Sequence, residues 1–284
     1  MIMLDFIRFN ATDKVELQGW LNNEEGDTAV IHIHGMSGNG YENYFLDNLR
    51  QMYAEKGISL FTIDSRGRGI ISDFRQNDGW LHGGSCFEIF NQSTNDIQGA
   101  INYLKTLGKT RFILQGHSLG CTKVVNFVLT QNTSDIQKVI LLAPTDMVGW
   151  AHTDSNHAEY LARAKQLVAK NNGQALVSAE CWLDKTPISA QTYPTICEAG
   201  SSADMYGERE GGALLGRVSL PMLILYGTND IGITKIDGTI DKWLERIEKI
   251  KNNHTRIAVI DGASHGFRDF ESELTEIAGT FVAE

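Results

Sequence analysis

Residues 111 to 129 constrain the fold of this chain more than any other segment. Arg111-Phe112-Ile113-Leu114-Gln115 reads as a short apolar strand, Gly116-His117-Ser118-Leu119-Gly120 as a tight turn with serine at its tip, and Cys121 to Leu129 as a helix. A serine at such a reversal is driven into a strained backbone conformation, and glycines two positions to either side remove side chains that would collide with strand and helix. The predicted arrangement is a nucleophile elbow, which holds one hydroxyl clear of the backbone.

The five-residue pattern occurs a second time, as Gly262-Ala263-Ser264-His265-Gly266 after the strand-like run Arg256 to Ile260. Chain order separates the two. A serine hydrolase built on this turn needs an acid and then a histidine after its nucleophile, and beyond Ser264 only its neighbour His265 remains. With Ser118 as nucleophile both partners lie downstream. Asp230 ends the Tyr226-Gly227-Thr228-Asn229-Asp230 turn after the apolar run Met222 to Tyr226, and His265 follows the last strand-like run. Asp146 also follows a strand-like run and is the competing acid, whereas Asp261 reads as a turn former.

Five landmarks now stand in order: His34-Gly35 after Ala29 to Ile33, Asp64-Ser65-Arg66-Gly67-Arg68-Gly69 after Ser59 to Ile63, the elbow, the Asp230 turn and the His265 turn. In these the chain resembles the α/β-hydrolase superfamily over nearly its whole length, with the general look of bacterial esterases and lysophospholipase-like hydrolases. The resemblance implies an α/β fold with a mostly parallel sheet flanked by helices, Ser118, Asp230 and His265 as catalytic triad, and the N–H groups of Met36 and Leu119 as oxyanion hole. The competing reading of Met36 is an ordinary strand-to-helix loop. The Asp64 turn departs from the family pattern in being followed by Ile70-Ile71, which makes the next loop apolar and a possible acyl-binding wall.

Strand-like and helical segments alternate up to about residue 147, as βαβ crossovers do. Residues 2–9 and 15–21 form an opening hairpin in this reading. Strands follow at 29–34, 59–64, 111–115 and 138–143, and helices at 44–56, 94–107 and from 121. Between 145 and 220 the alternation breaks into helical patterns at 157–170 and 174–183. Seventy-odd residues are too many for a loop within a compact domain, so residues 145–220 are expected to form a helical cap inserted between two core segments, 1–144 and 221–284. An insertion at the carboxyl edge of a parallel sheet lies over the active groups. Met147, Trp150, Trp182, Met205 and Tyr206, with Tyr160 and Tyr193, are its candidates for lining a substrate pocket, against the plainer reading that they fill the cap's own core. The remaining expected elements are a strand at 222–226, a helix at 238–250, a strand at 256–260 and a helix at 270–282.

Charge and composition narrow the partners. Lysine and arginine number 25 against 35 acidic residues, a net charge of −10, with no basic stripe; nucleic acid and anionic membranes are disfavoured. No apolar stretch approaches the length of a bilayer span, and the first ten residues lack the charge and apolar run of a secretory signal. Cys86, Cys121, Cys181 and Cys197 show no CxxC pairing, which points to a reducing, cytoplasmic setting. His32 and His34 share one strand face, but no third ligand stands at metal-site spacing, so neither metal nor cofactor is expected. His34 reads as a loop-ordering residue, His117 as a local packing or hydrogen-bonding residue, and Trp80 to Ser85 as a glycine-rich loop without assigned role. The expected activity is cleavage of a carboxylic ester of small or medium acyl group through an acyl-serine. A thioesterase or an acylglycerol lipase would use the same triad, and a non-catalytic ligand-binding protein could be built on the same fold. Oligomeric state is left open by the sequence.

Overall fold

The computed structural model describes residues 3–179, 186–207 and 212–284. The chain opens on an antiparallel hairpin, β1 (Asp5–Asn10) and β2 (Glu16–Asn22), followed by β3 (Thr28–Ile33), α1 (Phe45–Glu55) and β4 (Ser59–Asp64). A second hairpin, β5 (Ser72–Gln76) and β6 (Gly79–Gly83), precedes α2 (Ser93–Thr106), β7 (Arg111–His117), α3 (Leu119–Thr130) and β8 (Ile136–Leu142). An excursion holds α4 (Met147–Ala151), α5 (His157–Ala169), β9 (Leu176–Ser178), β10 (Ile188–Ser189) and α6 (Tyr193–Cys197). The core resumes with β11 (Met222–Gly227), α7 (Ile231–Ile236), α8 (Ile240–Ile250), β12 (Thr255–Ile260) and α9 (Glu271–Ala283).

Eight strands form one sheet in the order β1-β2-β4-β3-β7-β8-β11-β12. The six from β4 to β12 run parallel, and β2 joins β4 antiparallel. Because both faces are covered, the central strands are predominantly apolar, and Ala29 to Ile33, Phe112 to Leu114 and Met222 to Tyr226 are all buried. On one face α2, α3 and α8 pack Ile97, Leu104, Val124, Phe127, Trp243 and Ile247 into the larger cluster. On the other, α1 and α9 contribute Phe45, Leu49, Tyr53, Leu274, Ala278 and Phe281.

Register sets the site. Ile33 pairs with Gly116, Gly116 with Leu141, His117 with Leu142, and Leu142 with Leu225. The loops leaving β3, β7, β8 and β11 therefore emerge side by side at the carboxyl edge, where open α/β sheets place their ligands.

Two segments differ from the sequence reading. The Trp80 to Ser85 stretch, expected as a glycine-rich loop, instead starts within a strand: β5 and β6 pair as a hairpin, with Phe74 buried and Trp80 exposed. The helical pattern at 174–183 gives way to β9, antiparallel to β10, within the described residues. Leu176, Val177 and Ser178 run exposed, buried and intermediate, the period-two signature of a half-buried strand. Ile70 and Ile71, in the loop expected as an acyl-binding wall, are exposed. Cys86, Cys121 and Cys197 are free and buried, and Cys181 lies outside the described residues. Among those residues no helix is long and apolar enough to cross a membrane.

Candidate active site

The elbow forms where the sequence places it. Ser118 sits at φ 54° and ψ −125°, between the last residue of β7 and the first of α3. Such a conformation costs a residue other than glycine about 1 to 3 kcal/mol, and the surroundings enforce it. A Cβ on Gly116 would stand 2.5 Å from the Cys121 nitrogen, and one on Gly120 would stand 2.1 Å from the Ile33 carbonyl oxygen. Helix α3 can press this closely against β3 and β7 only because both positions are glycine.

Gly35 shows the same economy of space on the neighbouring loop. Its missing Cβ would lie 2.9 Å from Ser118 Cβ and 3.4 Å from Ser118 Oγ, so the segment after β3 lies directly against the nucleophile. The next N–H, that of Met36, and the N–H of Leu119 have no hydrogen-bond partner among the described residues. Both are available to a developing oxyanion. His34 holds this loop in place: its Nδ1–H donates to the Gly35 carbonyl at 2.8 Å, and its Nε2 accepts from the Ser65 N–H at 3.1 Å. Burial and the nearby Lys123 charge push the His34 imidazole down to about 4, so it stays neutral at physiological pH and keeps that pattern of donor and acceptor. The loop-ordering role expected of His34 is the one its bonds describe.

Asp230 caps α7, accepting the Gly232 N–H at 2.7 Å, and is fully buried. Both of its carboxylate oxygens lie 3.0 Å from His265 Nδ1. A carboxylate only accepts, so Nδ1 carries the proton in this bond. The rival acid is otherwise engaged. Asp146 caps α4 through the Gly149 N–H at 2.8 Å and pairs with Arg246 at 2.7 Å. Asp261 accepts from the Thr228 hydroxyl at 3.0 Å and ties two turns together.

Among the described residues no hydrogen bond joins the Ser118 hydroxyl to the His265 imidazole. Among the described residues the hydroxyl's hydrogen bond is to Thr145 Oγ1, at 3.2 Å. Hydrogen bonds between nucleophile and base are commonly long or misaligned before substrate binds.

His117 is not confined to local contacts. Its Nε2–H donates to the backbone carbonyl of His265 at 2.9 Å, 148 residues away in sequence, and the two rings lie 5.0 Å apart. The residue before Ser118 thus anchors the loop that carries His265, a long-range link that no spacing signal announces. Burial, with the adjacent His265, lowers the His117 pKa to about 3. Unfolded His117 binds a proton as pH falls through its ordinary value near 6.5, and the folded protein refuses that proton down to about 3. Its contribution to stability is whole above pH 6.5 and is lost on acidification, by up to about 1.4 kcal/mol per pH unit. In urea unfolding between pH 7 and 4, His117→Gln is expected to show a shallower loss of stability than the wild type; equal slopes would contradict the buried, neutral imidazole.

The excursion supplies the apolar surroundings. Leu119, Phe90, Met147, Trp150, Ala164, Val177, Ile188 and Tyr193 form a third cluster, against which Met36, Tyr160 and Ile236 pack. Met147 and Trp150 therefore sit in one cluster with both proposed oxyanion residues. Met205 and Tyr206 do not: they belong to the large core cluster. The Tyr206 hydroxyl donates to the Pro144 carbonyl at 3.1 Å and meets the Tyr226 hydroxyl at 2.7 Å. Through these bonds it supports the segment after β8. Trp182 lies outside the described residues. A groove of about 770 Å³ lies between α1 and α9, lined by residues such as Met52 and Gly279, and none of the candidate site residues borders it. Among the described residues no group of three or more His, Cys, Asp or Glu is placed to hold a metal ion.

An eight-stranded, mostly parallel sheet with a serine elbow after one strand and an Asp-His pair after two later ones is the α/β-hydrolase fold. Within it, the family profile described as "Protein of unknown function (DUF1749)" matches residues 79–279, well over half of the chain, and the protein belongs to that family. No curated protein matches the chain. Among solved structures it is similar to Est1E from Butyrivibrio proteoclasticus, determined with ferulic acid bound, at a TM-score of 0.67 and 17% identity over 97% of each chain. It is also similar to the α/β hydrolase GrgF from Penicillium sp. sh18, with a TM-score of 0.68 and 15% identity over 99% of this chain and 98% of that one. A third is the Pyrococcus furiosus esterase Pf2001, with a TM-score of 0.62 and 15% identity over 99% of this chain and 91% of that one. Identities this low carry the fold and not the substrate.

Proposed function

We propose that the protein is a serine hydrolase that cleaves carboxylic esters of small or medium acyl groups through an acyl-serine intermediate, with Ser118 as nucleophile, His265 as base and Asp230 as its orienting acid. The observation that carries this reading is the buried Asp230 carboxylate bonded to His265 Nδ1 at the sheet edge where Ser118 is held in its strained turn. Est1E and Pf2001 are esterases by name, which agrees with the reading.

In this mechanism the Ser118 hydroxyl leaves Thr145 and turns to His265 Nε2, which takes its proton as Oγ attacks the ester carbonyl carbon. The carbonyl pair moves onto oxygen, where the Met36 and Leu119 N–H groups meet it. Each such donor is worth about 3 to 4 kcal/mol in the transition state. Collapse expels the alcohol, which receives the proton from His265. Water, deprotonated by the same Nε2, then attacks the acyl carbon, releases the carboxylic acid and restores the serine. Asp230 stabilises the imidazolium without taking up its proton. The cap, residues 145–220 in this reading, brings Met147 and Trp150 beside the oxyanion residues, and their apolar surfaces favour uncharged acyl or alkyl groups.

Initial rates on p-nitrophenyl esters from acetate to octanoate, beside the matching thioesters, test the assignment. Hydrolysis of the short and medium esters is expected. Turnover of thioesters alone would keep the triad and replace the substrate; no turnover of either would favour a ligand-binding protein on the same fold.

A further inference from the structure

Thr145 belongs to no expected site, yet its Oγ1 lies 3.2 Å from the oxygen of Ser118. The segment that carries it is fixed from every side. Leu142 accepts the Ser118 N–H at 3.0 Å, and Ala143 takes a positive φ of 49° while donating to Leu225 at 2.8 Å. Pro144 has its own φ locked, and its carbonyl accepts the hydroxyls of both Tyr206 and Tyr226. Asp146 caps α4 and is gripped by Arg246, whose guanidinium in turn lies 5.0 Å over the Tyr206 ring. Thr145 itself is 3% exposed, and a β-branched side chain has few χ1 choices. Its hydroxyl therefore cannot swing away to solvent. The Cβ position of Gly232, the residue that donates to Asp230, is 3.7 Å from Thr145 Oγ1, so the threonine stands between the nucleophile and the acid's end of the site.

We infer that Thr145 is a positioning residue that holds the Ser118 hydroxyl in a resting orientation, away from His265, and that substrate binding must break this bond before attack. The inference rests on the proposed role of Ser118 as nucleophile. Thr145 takes no proton in the reaction; it sets the fraction of molecules whose serine faces the base. Tyr206, Tyr226 and Arg246 act one step further back, by fixing the backbone on either side of Thr145.

Thr145→Val keeps the shape and removes the hydroxyl. Its second-order rate of labelling by a fluorophosphonate is expected to rise about fivefold, the population change commanded by one ordinary hydrogen bond. Thr145→Ala should rise in the same way, and Thr145→Ser should return to the wild-type rate. The pH dependence of labelling should stay unchanged, because the base is untouched. Equal or slower labelling of the Val and Ala variants overturns the inference, while their thermal midpoints show that they are folded. Failure of the wild type to label at all overturns the hydrolase reading instead. In that case, or if both variants unfold, a crystal structure of the wild-type protein decides: Ser118 Oγ within hydrogen-bond reach of Thr145 sustains the resting orientation, and Oγ directed at His265 refutes it.

Discussion

Ser118→Ala is expected to lower kcat for any ester the wild type hydrolyses by roughly 10⁶-fold, with the fold intact. Without Oγ no acyl-enzyme forms, and what remains is the stabilisation that the Met36 and Leu119 N–H groups and binding itself give to direct attack by water. The same variant should lose little stability. Alanine at φ 54° keeps the strain that serine already bears, and only the partly buried bond to Thr145 is removed, a matter of about 1 kcal/mol. His265→Ala should fall nearly as far, and the double variant no further, because nucleophile and base act as one unit. Steady-state kinetics on p-nitrophenyl acetate, beside a thermal melt, measure both halves. A Ser118→Ala protein with more than a tenth of wild-type kcat would place the chemistry elsewhere.

Glu88→Ala is expected to be the most destabilising single change, by about 3 to 5 kcal/mol. Lys123, on the nucleophile helix, reaches Glu88 at 2.6 Å, and the two side chains are 0% and 1% exposed. Burial pushes the Glu88 carboxyl up from its ordinary value, and the Lys123 charge opposes that shift. The pair sits beneath the turn after β4, where a Cβ on Gly67 would meet Glu88 Oε2 at 2.3 Å and Lys123 Nζ at 2.9 Å. Removing the carboxylate leaves an ammonium with neither water nor counter-charge, and total stabilities of domains are only about 5 to 15 kcal/mol. Replacing both partners with apolar residues, Glu88→Leu with Lys123→Met, should recover most of the loss, because the desolvation cost goes with the charges. Urea unfolding of the three variants checks this. A Glu88→Ala loss below 1 kcal/mol would mean that the ammonium finds water or another partner.

The parts of the fold readable in the sequence were those whose physics is local. Apolar runs such as Ala29 to Ile33 and Met222 to Tyr226, glycines bracketing Ser118, and Gly57 and Gly108 after their helices each declare an element within a few residues. The β5/β6 hairpin was hard to read because its turn, Asn77-Asp78, lies among polar residues and Phe74 is its only buried side chain. The strand β9 was missed because Ala175, Leu176 and Ala179 favour helix, while pairing with β10 decides in favour of strand. Within the site, His34, Asp230 and His265 could be found by motif and order. His117 and Thr145 could not, since their partners are set by the parallel register of β7 with β8 and by the return of the chain after β12. The bond of Tyr206 to Pro144 was equally hidden: an aromatic in the excursion gives no sign, in sequence, of that partner.

The proposal that Ser118, His265 and Asp230 form one catalytic unit is tested most directly by treating the wild-type protein with a fluorophosphonate and mapping the adduct by peptide mass spectrometry. The expected result is a single stoichiometric adduct on the peptide containing Ser118, abolished in His265→Ala. A folded protein that takes up no label, or one labelled at another residue, contradicts it.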